Sequence, residues 1–214
     1  RVFTLLFGSA AGSLSFMAND WLWPLALLTV AAGVIGALAA RSLQLLLAYL
    51  VVVSVGTLLA GVALGSEQGV SAALYYLVHS TFVAGGLFLL ADLIGRQRGD
   101  TETPLLVAAP ALRQPLLLGP MFFVGAISVA GLPPFSGFIG KVMLLTAVPS
   151  GTQALMLWSV VLVGGLGMLI ALSRAGSLVF WLPSESAPVG LPADPVRLVA
   201  AAGLLLSSLD LVIW

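Results

Sequence analysis

This sequence contains few charged residues and no cysteine. Asp, Glu, Lys and Arg make up 7% of the chain, with no formal net charge, against about 25% in soluble domains. The lack of cysteine excludes disulfides, thiolate metal ligands and thiol catalysis within it, and the lack of a basic stripe argues against nucleic acid as a partner. Apolar residues form 60% of the chain and the mean hydropathy is +1.16, which indicates a protein embedded in lipid.

The apolar residues fall into runs long enough to cross a bilayer, for which a helix needs roughly 20 residues. We predict an all-α, polytopic membrane helix bundle with spans at 21–40, 43–65, 69–95, 115–148, 153–182 and 196–214. Residues 1–17 are interpreted as the end of a truncated upstream transmembrane helix. Because the chain opens at Arg1 inside an apolar run, we expect the natural N-terminus to lie upstream.

The run 115–148 is too long for one straight helix. At 1.5 Å per residue it would reach about 50 Å, against about 30 Å of hydrocarbon. Pro133 and Pro134 explain the excess, because proline removes a backbone donor and clashes with the preceding turn. We therefore predict two half-helices joined by an irregular stretch at 131–137, which includes Gly137 and in which Ser136 bonds freed backbone groups.

Lys141 is the only lysine, and it follows this predicted break within apolar sequence. An ionisable residue at membrane depth is costly and is a functional-site hypothesis by default. Burial and the positive end of the second half-helix are both expected to disfavour its ammonium form. The alternative is a lysine that reaches the interface by extending along the surface, but Val148 lies about 10 Å away at seven residues of helical rise.

His79 is the only histidine and lies midway along the span 69–95. Ser80 and Thr81 follow it and are predicted to support it. Histidine titrates near neutrality, so it can relay protons where water reaches it. The alternative is a neutral imidazole that bonds to a facing helix. The sequence contains no metal-ligand cluster, catalytic triad, nucleotide loop or pair of haem histidines, so we expect no catalytic residue, metal site or cofactor.

Six arginines predict the orientation of the bundle, because Lys and Arg favour cytoplasmic connections. They flank the connections on one side of the predicted spans, as Arg41, Arg96, Arg98, Arg113, Arg174 and Arg197. The opposite connections carry Asp20 and Glu67 but no basic residue. We therefore predict that loops 96–114 and 183–195 are cytoplasmic and that Trp214 faces outward.

Two segments resemble the antiporter-like membrane subunits of cation antiporters and respiratory complex I. Residues 75–81, Tyr-Tyr-Leu-Val-His-Ser-Thr, resemble their histidine-bearing helix, and residues 131–141 resemble their discontinuous helix with a buried Lys or Glu. The wording Gly-Leu-Pro-Pro-Phe-Ser-Gly-Phe-Ile-Gly-Lys is most similar to the D-type subunit of Mrp-type monovalent cation/proton antiporters. Gln44 stands where complex I relatives often carry lysine, which favours the Mrp type.

The resemblance implies a fold of two inverted repeats with fourteen helices, of which 21–182 would be the second five-helix repeat and 196–214 the C-terminal helix. It implies that Lys141 is the terminal proton-relay lysine and His79 the connecting histidine. The chain would be a proton-translocating subunit, not an enzyme, in a bacterial inner membrane. Its partners would be other membrane subunits, H+ and Na+ or another monovalent cation. The alternatives are a proton-pumping subunit of a complex I-type NADH:quinone oxidoreductase and a membrane scaffold.

Overall fold

The computed structural model describes residues 19–99, 106, 110–182, 190 and 192–213, so the predicted span 1–17 and Trp214 lie outside the described residues. Within them, the regular elements are helices, which confirms the all-α prediction. The helices are α1 (Asn19–Ala39), α2 (Leu43–Ala63), α3 (Glu67–Gln97), α4 (Pro115–Ala130), α5 (Ser136–Ala147), α6 (Thr152–Gly176) and α7 (Pro195–Asp210). A π-helical segment, Ser177–Trp181, continues α6.

The helix boundaries lie close to the predicted spans. In the part of the chain that the structure describes, four helices are long and apolar enough to cross a membrane: Trp21–Ala39, Leu43–Ala63, Glu67–Gln97 and Thr152–Trp181. The last helix is shorter than the predicted span 196–214, since α7 ends at Asp210 after 16 residues. This length corresponds to about 24 Å.

The long apolar run is divided as predicted, into α4 and α5. Gly131 ends α4 in the left-handed conformation, with φ of 77°, and the amide of Leu132 bonds back to the carbonyl of Ile127 at 3.2 Å. This is the usual C-terminal turn of a helix that stops at glycine. The irregular stretch is 131–135 and not 131–137, because Ser136 already opens α5.

Helix α3 lies at the centre of the bundle, where α2, α5 and α7 pack around it, while α1 packs against α2 and α6. Small residues permit these close contacts, as expected of helices in lipid. A side chain on Gly86 of α3 would lie 2.9 Å from Leu205 of α7, and one on Gly167 of α6 would lie 2.5 Å from Val34 of α1.

The six arginines lie at one end of the bundle. Arg174 donates to the carbonyl of Ala40 at 2.8 Å, and Arg98 donates to the carbonyl of Val179 at 3.0 Å. Asp92 of α3 accepts from Arg96 at 3.0 Å and also pairs with Arg197 of α7. The predicted grouping of the basic connections on one side is therefore present in the fold, and it ties α3 to α7 at that end.

Candidate functional site

His79 lies at the centre of the bundle with 1% of its surface exposed. Its Nδ1 atom is 2.8 Å from the hydroxyl of Ser136 on α5 and 3.0 Å from the hydroxyl of Ser208 on α7. The ring therefore joins three helices. This is the polar environment that a histidine needs at membrane depth, because an unpartnered polar group there is costly.

Ser136, Ser208 and Ser128 extend this contact into a buried hydroxyl cluster. The Ser136 hydroxyl donates to the backbone carbonyl of Ser208 at 2.5 Å, and the two hydroxyl oxygens are 3.0 Å apart. The Ser128 hydroxyl of α4 is 3.5 Å from that of Ser208. The expectation that Ser136 bonds backbone groups freed at the break is wrong, because its partners are His79 and the last helix.

Gly137 brings the second half-helix against the other edge of the imidazole ring. A Cβ atom at this position would lie 2.7 Å from Nε2 of His79 and would collide with the carbonyl oxygen of Ser128. Only glycine permits this approach. Gly137 therefore permits close packing of α5 against α3 and α4. It does not belong to the irregular stretch in which we predicted it.

A small cavity of about 20 Å³ lies beside the ring. It is lined by His79, Ser54, Tyr76 and Ser80 together with apolar residues of α2, α3 and α4. A space of this size holds about one water molecule. Ser54, Tyr76 and Ser80 carry hydroxyl groups, so a water molecule in this cavity would have polar partners beside the histidine.

Ser80 and Thr81, which were predicted to support the histidine, bond to their own helix. The hydroxyls of both residues donate to the carbonyl of Leu77, at 3.1 Å and 2.8 Å. Ser80 also lines the small cavity, whereas Thr81 is exposed on the outside of α3. Neither hydroxyl bonds to the ring of His79.

Lys141 is 7% exposed, and its side chain turns back across the break. Its Nζ atom donates to the carbonyl of Ala130 at 2.6 Å and to that of Val129 at 3.3 Å. These carbonyls end α4, where a helix leaves its last acceptors without intrahelical partners. Lys141 therefore does not extend towards the interface at Val148.

This contact corrects the expected electrostatics of the lysine. Its backbone lies in the second half-helix, whose positive end disfavours a cation, but its amine lies at the negative end of the first half-helix, which stabilises one. The half-helix termini thus act in opposite directions, and the nearer one favours the ammonium form. The prediction that the positive end of the second half-helix disfavours the ammonium form of Lys141 is therefore wrong, because the amine lies closer to the carboxyl end of the first half-helix.

Gly131 makes room for the amine as well as turning the chain. A Cβ atom at this residue would lie 2.7 Å from Cδ and 2.8 Å from Nζ of Lys141. Its positive φ is also one that other residues adopt only with strain. Gly131 therefore leaves the space at the helix break in which the side chain of Lys141 lies.

A larger cavity of about 280 Å³ opens beside Lys141, between α4, α5 and α6. Its lining is largely apolar and includes Gly131, Phe138, Lys141 and Gly165. A side chain on Gly165 would approach Nζ to 4.0 Å, so glycine leaves the amine accessible from this cavity. An ammonium group has three donors, and two of them bond to α4, which leaves the third for water.

The contact with the histidine and the lysine side chain lie on the same face of α5. Gly137, which contacts the ring, and Lys141 are four residues apart, which is about 6 Å along the helix axis. The last turn of α4 lies alongside: the Ser128 carbonyl is next to Gly137, and the following two carbonyls accept from Lys141. The carbonyls at the end of α4 therefore lie along the face of α5 that carries Gly137 and Lys141.

The described residues contain no group of three His, Asp or Glu side chains that could hold a metal ion. The expected pair, His79 and Lys141, is brought to the helix break together with Ser136 and Gly137. Ser128 and Ser208 were missed by sequence reasoning. A serine within an apolar run is the only signal that either residue gives.

Comparison with known proteins shows which family the sequence matches. The family model described as NADH:quinone oxidoreductase/Mrp antiporter, TM, matches residues 2–169. The D subunit of a probable K+/H+ antiporter of Rhizobium meliloti is 35% identical, with 97% of this chain and 44% of the relative covered. The D subunit of a Na+/H+ antiporter of Bacillus subtilis is 39% identical, with 66% of this chain and 27% of the relative covered.

The fold also matches a solved structure. A chain of respiratory complex I from Thermus thermophilus with bound NADH superposes with a TM-score of 0.78 at 26% identity, over 93% of this chain and 41% of that chain. The present chain thus spans less than half the length of each of these proteins.

Proposed function

Because this chain belongs to the NADH:quinone oxidoreductase/Mrp antiporter transmembrane family, we propose that it is part of a proton-translocating membrane subunit of a multisubunit monovalent cation/proton antiporter. The proposed path runs between His79 and Lys141 at the break between α4 and α5. The observation that carries it is the amine of Lys141 on the carbonyl of Ala130 at 2.6 Å, beside a cavity of about 280 Å³.

The lysine is suited to releasing and regaining a proton. As an ammonium group it is stabilised by the carbonyls at the end of α4, and its burial opposes the charge. Burial therefore lowers the free-energy cost of losing the proton, while the carbonyls hold the amine in position. The neutral amine still has two N–H donors for the same carbonyls, so loss of one proton to cavity water leaves the contact in place.

The partners and setting of the chain follow from the same proposal. Relatives named as antiporter subunits support other membrane subunits as partners, with Na+ or another monovalent cation exchanged against H+. The names of the two relatives differ in the cation, K+ in one and Na+ in the other. We place the chain in a bacterial plasma membrane, with the arginine-bearing loops cytoplasmic, the C-terminus outward and residues 21–182 as the second inverted repeat.

A proton-pumping subunit of a complex I-type enzyme is the alternative, and the complex I match over 93% of this chain favours it. In either case the chain moves ions and performs no chemical conversion of its own. The source of energy distinguishes the two assemblies. In an antiporter, proton flux follows an imposed gradient of Na+ or K+, whereas in a redox pump it follows NADH oxidation.

The test is proton flux in vesicles that carry the assembled protein with its native partners. Lys141→Met removes the titrating group while keeping most of the side-chain volume, so cation-dependent flux should stop at equal protein abundance. Ile139→Met, a matched control two residues earlier on the same half-helix, should retain flux. Near-normal flux in Lys141→Met would overturn the mechanism, and flux that responds to NADH but not to cations would favour the alternative.

A further inference from the structure

The hydroxyl cluster around His79 determines which ring nitrogen carries the proton. A carbonyl oxygen can only accept a hydrogen bond, so the 2.5 Å contact between the Ser136 hydroxyl and the Ser208 carbonyl is donated by Ser136. A serine hydroxyl has one donor and two acceptor positions. The Ser136 oxygen can therefore only accept from its other neighbours.

One of those neighbours is Nδ1 of His79, 2.8 Å away. If Nδ1 carried a lone pair, it would face an oxygen whose proton points elsewhere, and the shortest contact of the ring would be repulsive. If Nδ1 carries the proton, it donates to Ser136, and the Ser208 hydroxyl donates to the second acceptor position of Ser136 at 3.0 Å. Only the protonated Nδ1 satisfies all of these contacts.

We propose that Ser136 and the Ser208 carbonyl hold neutral His79 as the Nδ1–H tautomer, so that Nε2 is the nitrogen that accepts and releases the transported proton. The second half of this statement rests on the proposed function, whereas the first half does not. Nε2 lies on the edge of the ring that faces Gly137 of α5, the helix that carries Lys141. Ser136 and Ser208 are thus positioning residues, which act through the orientation and tautomer of His79.

The two serines have different parts in this arrangement. The side-chain oxygen of Ser136 is the acceptor for Nδ1–H. Ser208 acts through its backbone carbonyl, which accepts the hydroxyl proton of Ser136. Ser208→Ala retains that carbonyl and should keep the Nδ1–H tautomer. Ser136→Ala removes the acceptor and leaves the Ser208 hydroxyl, 3.0 Å from Nδ1, free to donate to the ring, which favours the Nε2–H tautomer.

Solid-state NMR of ¹⁵N-histidine-labelled protein, in lipid and with its native partners, reads the tautomer directly. The His79 signals are assigned by their loss in His79→Gln, at a pH where the ring is neutral. We expect protonated Nδ1 and unprotonated Nε2 in the wild type and in Ser208→Ala, and an exchange of the two assignments in Ser136→Ala. Thr81→Ala, two residues after His79 but exposed on the outside of α3 and bonded to its own helix, is the matched control and should leave the signals unchanged.

A wild-type ring protonated at Nε2 would overturn the tautomer proposal. A Ser136→Ala ring that keeps the wild-type assignment would overturn the part given to Ser136, because Nδ1–H would then donate to the Ser208 hydroxyl, 3.0 Å away. Proton flux is measured on the same preparations. Wild-type flux in His79→Gln together with the expected NMR assignments would overturn the relay function but not the tautomer. The two failures are therefore distinguishable, and the same spectra report whether each variant still packs around the ring.

Discussion

The Nζ atom of Lys141 donates to the carbonyl oxygen of Ala130 over 2.6 Å, so a side chain of α5 closes the carboxyl end of α4. The lysine consequently has two effects that can be separated by substitution. It satisfies carbonyls that the helix leaves without partners, and it carries the proposed transported proton. A buried carbonyl that loses its donor costs about 1–3 kcal/mol.

Substitutions of Lys141 should separate stability from transport. Lys141→Arg keeps donors for the α4 carbonyls, so stability should stay closer to wild type than in Lys141→Met, which should lose about 1–3 kcal/mol. Both variants should lose most proton flux, because a guanidinium keeps its proton at physiological pH. Thermal unfolding in detergent and flux in vesicles give the two readouts. Flux in Lys141→Arg comparable to wild type would contradict the need for deprotonation at this position.

Gly131→Ala should destabilise the break. The positive φ at this residue costs an L-residue about 1–2 kcal/mol, and the new methyl group would press on the lysine amine. We expect a lower unfolding temperature together with reduced flux. The control is Gly203→Ala in α7, where a Cβ has no neighbour within 4 Å and alanine should stabilise the helix by about 0.5–1 kcal/mol. Equal stability of the two variants would argue against the described geometry at Gly131.

Removal of His79 should slow transport without preventing assembly. In His79→Ala the hydroxyls of Ser136 and Ser208 remain 3.0 Å apart and can bond to each other, so no isolated polar group is left in the core. The measurement is cation-dependent flux, normalised to the amount of complex recovered. Phe88→Ala, a large-to-small change at an outward-facing position on the same helix, should retain flux. Wild-type flux in His79→Ala would reduce the histidine to a packing role.

The orientation can be tested with single cysteines, because the 214 residues contain none. Gln68, near the start of α3, and Arg113, just before α4, are exposed at opposite ends of the bundle. On intact cells an impermeant maleimide should label Gln68→Cys but not Arg113→Cys, since the arginine-bearing side is predicted to be cytoplasmic. Permeabilised cells should label both. Labelling of Arg113→Cys alone on intact cells would reverse the assignment.

The sequence predicts the helix break well because its cause is local. Two adjacent prolines in an apolar run longer than the bilayer is thick leave few alternatives, and the end of α4 at Gly131 follows from the conformational freedom of glycine. The position of the lysine amine is not local. A side chain of four methylenes can extend in either direction, and only the packing of α4 beside α5 determines that Lys141 reaches Ala130.

The sequence also does not indicate which hydroxyl groups lie next to the His79 ring. Ser80 and Thr81 stand next to the histidine in sequence, yet their hydroxyls bond back to Leu77, as serine and threonine commonly do in helices. Ser208 is more than a hundred residues from His79, yet it lies 3.0 Å from the ring. In a single sequence these hydroxyls look alike, and the difference arises only when α7 packs against α3.

The packing of α7 against α3 affects which parts of the site can move. Helices α3 and α7 are joined along their common length, from the Asp92–Arg197 ion pair, past the imidazole, to the bond from the Tyr75 hydroxyl to the carbonyl of Leu211 at 3.0 Å. A rotation of either helix alone would break contacts at several levels together. A movement of the Lys141 side chain breaks fewer contacts than a rotation of either helix. Rotamer changes take picoseconds to nanoseconds where a side chain is exposed, whereas hinge motions of whole domains take microseconds to milliseconds.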